Sequence, residues 1–369
     1  MNSPFTYFKE LFPLFFKPSD ISLGQVPIPD ANTVVIYPPT INWNWMKQRP
    51  QQMMEQFARY GYPVYYCNMT QKKDCLSAQL DKNLTLIHNN SSFIKESIPL
   101  LKAHGKKILV WCSWSKLYPL ISGYRPDFVI YDYLDDFPAW QPYLHGMVET
   151  ANMVVTTAQV LQAHIEEGYP GKPVCLAPNG CALERFQGGG ECPVPAEFQE
   201  HTGPVILFSG AWADWVDAEL VEETARAFPE AMVAIVGAEF NATVNKSVPN
   251  IRYIGHRPYD VLPAYFCHST VCIIPFKINT VTLAANPIKV YEYLAAGKPV
   301  VSTDLPEVRN IPGVQIGTTH AQFLEQVEQA LKGVTVFPRE EVGAWLENQT
   351  WERRFEEVQK KLLEFGIDK

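Results

Sequence analysis

At 369 residues the chain is too long for one ordinary domain and suits two. Apolar residues make up 47% and charged residues 19%, which excludes a disordered chain, and a formal net charge of −8 argues against duplex nucleic acid as a partner. The eight cysteines form no CxxC pair and lie mostly in apolar runs, so they read as reduced core thiols and not as a zinc site.

The first twenty residues place Phe5, Phe8, Phe12, Phe15 and Phe16 at helical spacings with Leu11 and Tyr7, and Pro13 interrupts them. No basic region or small-residue cleavage site is present, so this is not a signal peptide. It reads either as an interfacial membrane anchor or as an arm packed on the protein. No run of about eighteen apolar residues occurs, so no membrane-spanning helix is expected.

Short apolar, β-branched runs then recur at Thr33–Tyr37, Pro63–Cys67, Leu84–Ile87, Lys107–Cys112, Phe128–Asp132, Met153–Thr157 and Val174–Ala177. They are apolar nearly throughout, as parallel strands covered on both faces are. Helices fit between them, among them Gln51–Tyr60 and Phe93–His104, and the pattern predicts a doubly wound α/β domain. A Gly/Pro-rich break, GGGECPVP, spans Gly188–Pro195. The alternation restarts at Val205–Ser209, Met232–Val236, Ile251–Ile254, Val271–Pro275, Pro299–Thr303 and Val314–Ile316. Two Rossmann-like domains are therefore expected, residues 1–180 and 181–349, facing across a cleft. A final helix, about Trp351 to Phe365, carries Trp351, Phe355, Val358 and Leu362 on one face. The segment 350–369 is expected to pack back on the first domain.

The most informative stretch runs from Asn286 to Val301, NPIKVYEYLAAGKPVV. Asn286 reads as an N-cap, Pro287 as the first helical residue, and Gly297 as a left-handed helix end before Pro299. Lys289 and Glu292 share a face near the helix N-terminus, where free N–H groups and the positive dipole end also lie. Lys289 suits a diphosphate and Glu292 suits ribose hydroxyls. The rival reading is a surface helix with a weak Lys–Glu pair.

This stretch resembles the nucleotide-sugar motif of GT-B glycosyltransferases of the family 4 group. That motif has two glutamates eight positions apart, then a small-residue helix end and a G-x-P-V-V strand. Glu292 matches the second glutamate, which binds the donor ribose in the family; the first falls at Ala284 and is missing. The wording is similar to the teichuronic-acid-type (TuaH-like) transferases, from Trp43 to the end of the chain. The resemblance implies the GT-B fold, a nucleotide diphosphate sugar as donor, no metal and no other cofactor.

Other segments fall where the family places its site. The turn Ser209-Gly210-Ala211-Trp212 after a strand brings backbone N–H groups to phosphates, and Trp212 or Trp215 either lines the sugar pocket or packs the domain interface. His256 and Arg257 follow the strand that ends at Ile254, where the family holds the nucleobase. With Asn286, Pro287, Ile288, Lys289 and Glu292 these make up the expected donor site. Trp43, Asn44, Trp45 and Arg49, before a helix opened by Pro50, are the acceptor candidates; core anchoring is the rival role of the two tryptophans. Asp135 and Asp136, after Asp132, are the candidate catalytic carboxylates, since neighbouring acids raise one pKa into the range of a general base. Helix capping near Pro138 is their rival role. Asn179-Gly180 matches a P-N-G turn of the family, with Gly180 expected at positive φ. A basic group at Lys102, His104, Lys106 and Lys107 reads as a solvated helix face or as a contact for anionic lipid.

The expected function is transfer of a sugar from a nucleotide diphosphate donor, UDP-linked, to a glycan or lipid-linked acceptor in cell-surface polysaccharide synthesis. The expected location is the cytoplasm, at or near the inner membrane face. Two alternatives remain: a nucleotide-sugar epimerase of the same fold, and an inactive nucleotide-sugar-binding protein, which the missing glutamate at Ala284 favours. No G-x-G-x-x-G follows a predicted strand, which disfavours a dinucleotide oxidoreductase.

Overall fold

The computed structural model describes residues 24–187, 192–334 and 337–369. The phenylalanine-rich segment 1–20 and most of the glycine run lie outside the described residues. The chain divides into two compact units, residues 1–178 with 351–369, and residues 179–350.

Unit 1 is built on an eight-stranded sheet in the order β3-β4-β2-β1-β5-β6-β7-β8. Its strands are β1 (Thr33–Tyr37), β2 (Val64–Cys67), β3 (Ser77–Asp81), β4 (Leu84–Ile87), β5 (Lys107–Cys112), β6 (Phe128–Tyr133), β7 (Met153–Thr156) and β8 (Val174–Leu176). All pairings are parallel except β3 with β4. Helices α1 (Arg49–Arg59), α2 (Ile98–Ala103), α3 (Gln141–Thr150) and α4 (Gln159–Gly168) join them. Strand β1 is buried at every position, as a strand between two helical layers must be. Sequence order runs outward from β1 in one direction through β2 and from β5 in the other, so the topological switch lies between β1 and β5.

One reading in this unit needs correction. The helix expected at Phe93–His104 begins earlier, at Asn90, and is not α-helical throughout: a π-helical segment, Phe93–Ser97, lies between a turn at Asn90–Ser92 and α2. Pro99 has no N–H to give to the ladder, and the wide π turn precedes it directly. The basic group nearby is committed to protein acceptors. Lys102 pairs with Asp127 at 2.5 Å, Lys106 reaches the Asp30 carbonyl and Lys107 the Gly366 carbonyl.

Unit 2 has a six-stranded, all-parallel sheet in the order β11-β10-β9-β12-β13-β14. The strands are β9 (Val205–Ser209), β10 (Met232–Val236), β11 (Ile251–Gly255), β12 (Val271–Ile274), β13 (Val300–Thr303) and β14 (Val314–Gly317). Helices α5 (Ala218–Ala227), α6 (Leu262–Cys267), α7 (Ile288–Ala295), α8 (His320–Leu331) and α9 (Arg339–Leu346) cover it. One face packs Leu207, Ala234 and Cys272 against Phe266, Tyr293 and Leu294; the other packs Ile206, Val233 and Ile273 against Leu220, Phe323 and Val327. The switch in strand order falls between β9 and β12.

The chain then returns to unit 1 as α10 (Trp351–Glu364). Its apolar stripe, Trp351, Phe355, Val358 and Leu362, is buried. Phe355 meets Phe57 and Tyr60 of α1 with ring centroids 4.8 and 4.5 Å apart.

Among the described residues no helix is long and apolar enough to cross a membrane.

Candidate active site

In unit 2 the loops after β9 and β12 leave the sheet at its switch point, where open α/β sheets bind ligands. Backbone bonds join them: Asp217 N–H donates to the Pro275 carbonyl at 2.8 Å and Lys277 N–H to the Trp215 carbonyl at 2.9 Å. The turn after β10 closes on the same place, with Gly210 N–H bonded to the Val236 carbonyl at 2.9 Å. A β-carbon on Gly237 would lie 1.7 Å from the Gly210 carbonyl oxygen, so only glycine fits there. Gly237 was not among the sequence candidates, yet it repeats the strand-then-glycine punctuation of Ser209-Gly210.

The side chain of Trp212 does not reach this surface. It is 2% exposed and packs edge-on against Phe208 within the core of unit 2, so the pocket-lining role fails for this side chain. Trp212 still contributes backbone, its N–H bonding the Ala238 carbonyl.

Helix α7 stands against the β9 turn. The Tyr293 hydroxyl accepts from Ser209 N–H at 2.7 Å and fixes the helix to that strand end. The helix starts one residue later than expected: Pro287 is the N-cap, extended, and no side chain caps the first turn. Asn286 is used otherwise. Its Oδ1 accepts from Asn179 N–H at 3.0 Å and from the Tyr291 hydroxyl at 3.1 Å, while its carbonyl accepts from Asn179 Nδ2 at 2.6 Å. The amide is consumed in holding the 179 turn, so it cannot cap. Its Nδ2 reaches Glu307 at 3.4 Å. Gly180 also differs from expectation. It is absent from the positive-φ residues, and its side-chain-free surface is needed because the Gln349 carbonyl would lie 2.8 Å from a β-carbon.

Glu292 is 1% exposed. One carboxylate oxygen pairs with Lys289 Nζ at 2.9 Å; the other has no partner among the described residues. The Lys–Glu pair is thus formed, but inside the protein and not on a solvated face. Gly297, at φ +70°, ends the helix as its place predicts. Ala284 is buried at the end of a short helix, Thr280–Leu283, that precedes the Asn286 stretch. His256 is exposed. Arg257 is not a free cation: it is ion-paired with Glu197 and bonded to the Tyr265 hydroxyl at 3.0 Å.

In unit 1 the acceptor candidates separate. Asn44 and Trp45 are exposed, Trp45 at 47%. Trp43 is half-buried, edge-on to Tyr66 at 5.0 Å. Arg49, however, is 2% exposed, with Nε bonded to both oxygens of Asp132 at 3.1 and 3.0 Å and Nη1 to the Pro178 carbonyl at 3.1 Å. Trp111 Nε1 donates to the same Asp132 carboxylate at 3.0 Å. Its guanidinium is therefore a buried counter-ion that locks the start of α1 to the end of β6, which corrects its placement among surface acceptor contacts.

Asp135 and Asp136 follow β6. Asp136 accepts from the Tyr133 hydroxyl at 2.7 Å and from the Gln141 side chain. Neither aspartate caps α3, whose N-cap is Trp140. Asp135 has no hydrogen-bond donor among the described residues. Burial, then the charges of Asp132 and Asp136, push its carboxyl up to about 6.

This geometry meets its counterparts among known proteins. Residues 203–333, within unit 2, match the family described as glycosyl transferases group 1. The whole fold is that of the GT-B glycosyltransferases. Sucrose-phosphate synthase from Thermosynechococcus elongatus superposes with a TM-score of 0.69 at 12% identity, over 91% of this chain and 99% of that one. An Escherichia coli structure titled trehalose-6-phosphate, bound with UDP-2-fluoro glucose, gives 0.63 at 11% identity, over 89% and 98%. In sequence the chain is related, at 26% identity, to the Bacillus subtilis (strain 168) protein TuaH, a teichuronic acid biosynthesis glycosyltransferase by name. The alignment covers 59% of this chain and 61% of that relative's length.

Proposed function

We propose that this protein is a glycosyltransferase that takes its sugar from a nucleotide diphosphate donor, UDP-linked, and passes it to a glycan or lipid-linked acceptor in polysaccharide synthesis. Glu292 carries the reading. A carboxylate almost wholly buried, with one oxygen on Lys289 and the other without a partner among the described residues, suits a hydrogen-bond donor from a ligand. A ribose hydroxyl supplies one. Beside it the uncapped first turn of α7 offers backbone N–H groups and the positive dipole end, and Lys289 adds a charge that swings to a diphosphate once ribose engages Glu292. The glycine turns at Gly210 and Gly237 allow close backbone approach of the same anion. These groups neutralise the leaving diphosphate in this reading, with no metal invoked.

The UDP assignment draws support from the names of fold neighbours, among them a UDP-forming trehalose-phosphate synthase from Burkholderia xenovorans. Unit 1 supplies the acceptor side. In an inverting step Asp135 takes the acceptor hydroxyl proton as the new glycosidic bond forms, and the bond from the sugar to the diphosphate breaks with its electrons. Work at the inner membrane face suits a lipid-linked acceptor.

UDP should raise the melting temperature of the wild-type protein by several degrees. Glu292→Ala and Lys289→Ala should each reduce that rise by at least half without abolishing folding. No protection by UDP or any other nucleoside diphosphate would refute the donor assignment.

A further inference from the structure

The loop and strand ends of unit 1 hold a polar group of which only Trp43 is among the candidates above. Asn68 follows β2, His88 follows β4, and Trp43 lies in the loop after β1; these three strands are neighbours in the order β4-β2-β1. Trp43 backbone N–H donates to Asn68 Oδ1 at 2.8 Å. A backbone N–H can only donate, so the amide orientation is fixed and Nδ2 is the atom facing His88, 3.1 Å from Nδ1. An amide nitrogen also only donates, so His88 Nδ1 accepts. The imidazole is thereby held neutral with its proton on Nε2. Burial and the charge of Lys72 lower the His88 pKa, in agreement with that state.

His88 is 8% exposed, Asn68 8%, and the next residue Asn89 6%, so they floor a surface instead of standing above it. Nε2–H has no hydrogen-bond acceptor among the described residues, and it is not one of the fully enclosed unsatisfied atoms. A single oriented donor is therefore left unspent on a nearly buried ring, in a group that Trp43 joins through its backbone N–H.

We propose that His88 Nε2–H binds a hydroxyl oxygen of the acceptor's sugar ring and so sets which acceptor unit 1 takes. A neutral N–H donor oriented by an amide matches an uncharged hydroxyl. The proposal rests on unit 1 being the acceptor side. His88 is a binding residue in it, with no proton transferred.

Two substitutions separate the ring's two nitrogens. His88→Asn keeps an acceptor near the Nδ1 position for Asn68 and removes the Nε2 donor; His88→Gln keeps a donor near Nε2 and gives up the bond to Asn68. The probes are methyl glucoside and methyl glucuronide, titrated into the full-length protein with and without saturating UDP. One of them should shift the His88 Nε2–H resonance in the nitrogen–proton correlation spectrum of the wild-type protein. His88→Asn should bind that glycoside about tenfold more weakly, the loss expected for one buried hydrogen bond, with UDP protection unchanged. His88→Gln should bind it more nearly like the wild type. Equal affinity in wild type and His88→Asn, or no shift with either glycoside, would overturn the proposal while leaving UDP protection to judge the donor reading separately.

Discussion

Asp135 sits in a conflict that its neighbours create. Asp132 is held as one half of a buried ion pair by Arg49, Asp136 is engaged by Tyr133 and Gln141, and Asp135 is left with like charges and, among the described residues, no donor. Its carboxyl rises from 3.8 to about 6, which means the folded protein holds that proton more tightly than the unfolded chain does. The sign follows from linkage: stability contributed by this group is lost as pH rises from about 4 to about 6, and the cost stays in place above that. Asp135→Asn should therefore raise the melting temperature at pH 7, by the equivalent of about 1–3 kcal/mol, while transfer activity drops at least a hundredfold. Wild-type activity should fall as pH goes below about 6, where the base is protonated. Thermal melts and a pH–rate profile check the two halves, and a destabilised Asp135→Asn would contradict the account. The acidic cluster and the Lys289–Glu292 spacing could be read from sequence because their members are near neighbours in the chain. Arg49 could not be assigned from sequence. Its partner Asp132 lies 83 residues away, and the composition of the loop before α1 gives no sign that one of its cations turns inward.

At the scale of elements, the decisive contacts are between turns. The turns after β9 and β10 touch through Gly210 and Gly237, where a methyl group on Gly237 would have to displace backbone. Gly237→Ala should push the β9 turn outward and destabilise unit 2 by a few kcal/mol, the scale of backbone conflict without an escape rotamer. Chemical denaturation and UDP protection measure this together; an unperturbed variant would show that the two turns have room to part. The central strands were legible because parallel strands buried on both faces are apolar throughout. Strand β3, SAQLD, was not: it is an antiparallel edge with four of its five residues exposed, so its sequence has no apolar pattern to betray it. The break of the helix after Phe93 and the short helix Thr280–Leu283 escaped for another reason. Both are about one turn long, too short for periodicity to register; Thr280–Leu283 is set by its Asn279 cap, and Phe93–Ser97 is a π-helical stretch inside a continuing helix.

For the whole molecule, α10 is the part of unit 1 most remote in sequence from the rest of it. Burial of Trp351, Phe355, Val358 and Leu362 contributes about 1.5–3 kcal/mol per side chain, a sum comparable with the net stability of a domain. A chain ending at Thr350 should lose the unit 1 melting transition and keep that of unit 2, as read by calorimetry; two intact transitions would contradict this. Unit 2 also opens and closes in one place, since Cys181 N–H donates to the Gln349 carbonyl at 2.9 Å. A module whose entrance and exit coincide is a cassette. On the function proposed above, exchanging residues 179–350 for another such unit, with a splice of a few residues, offers evolution and the engineer alike a way to change the donor without redrafting unit 1.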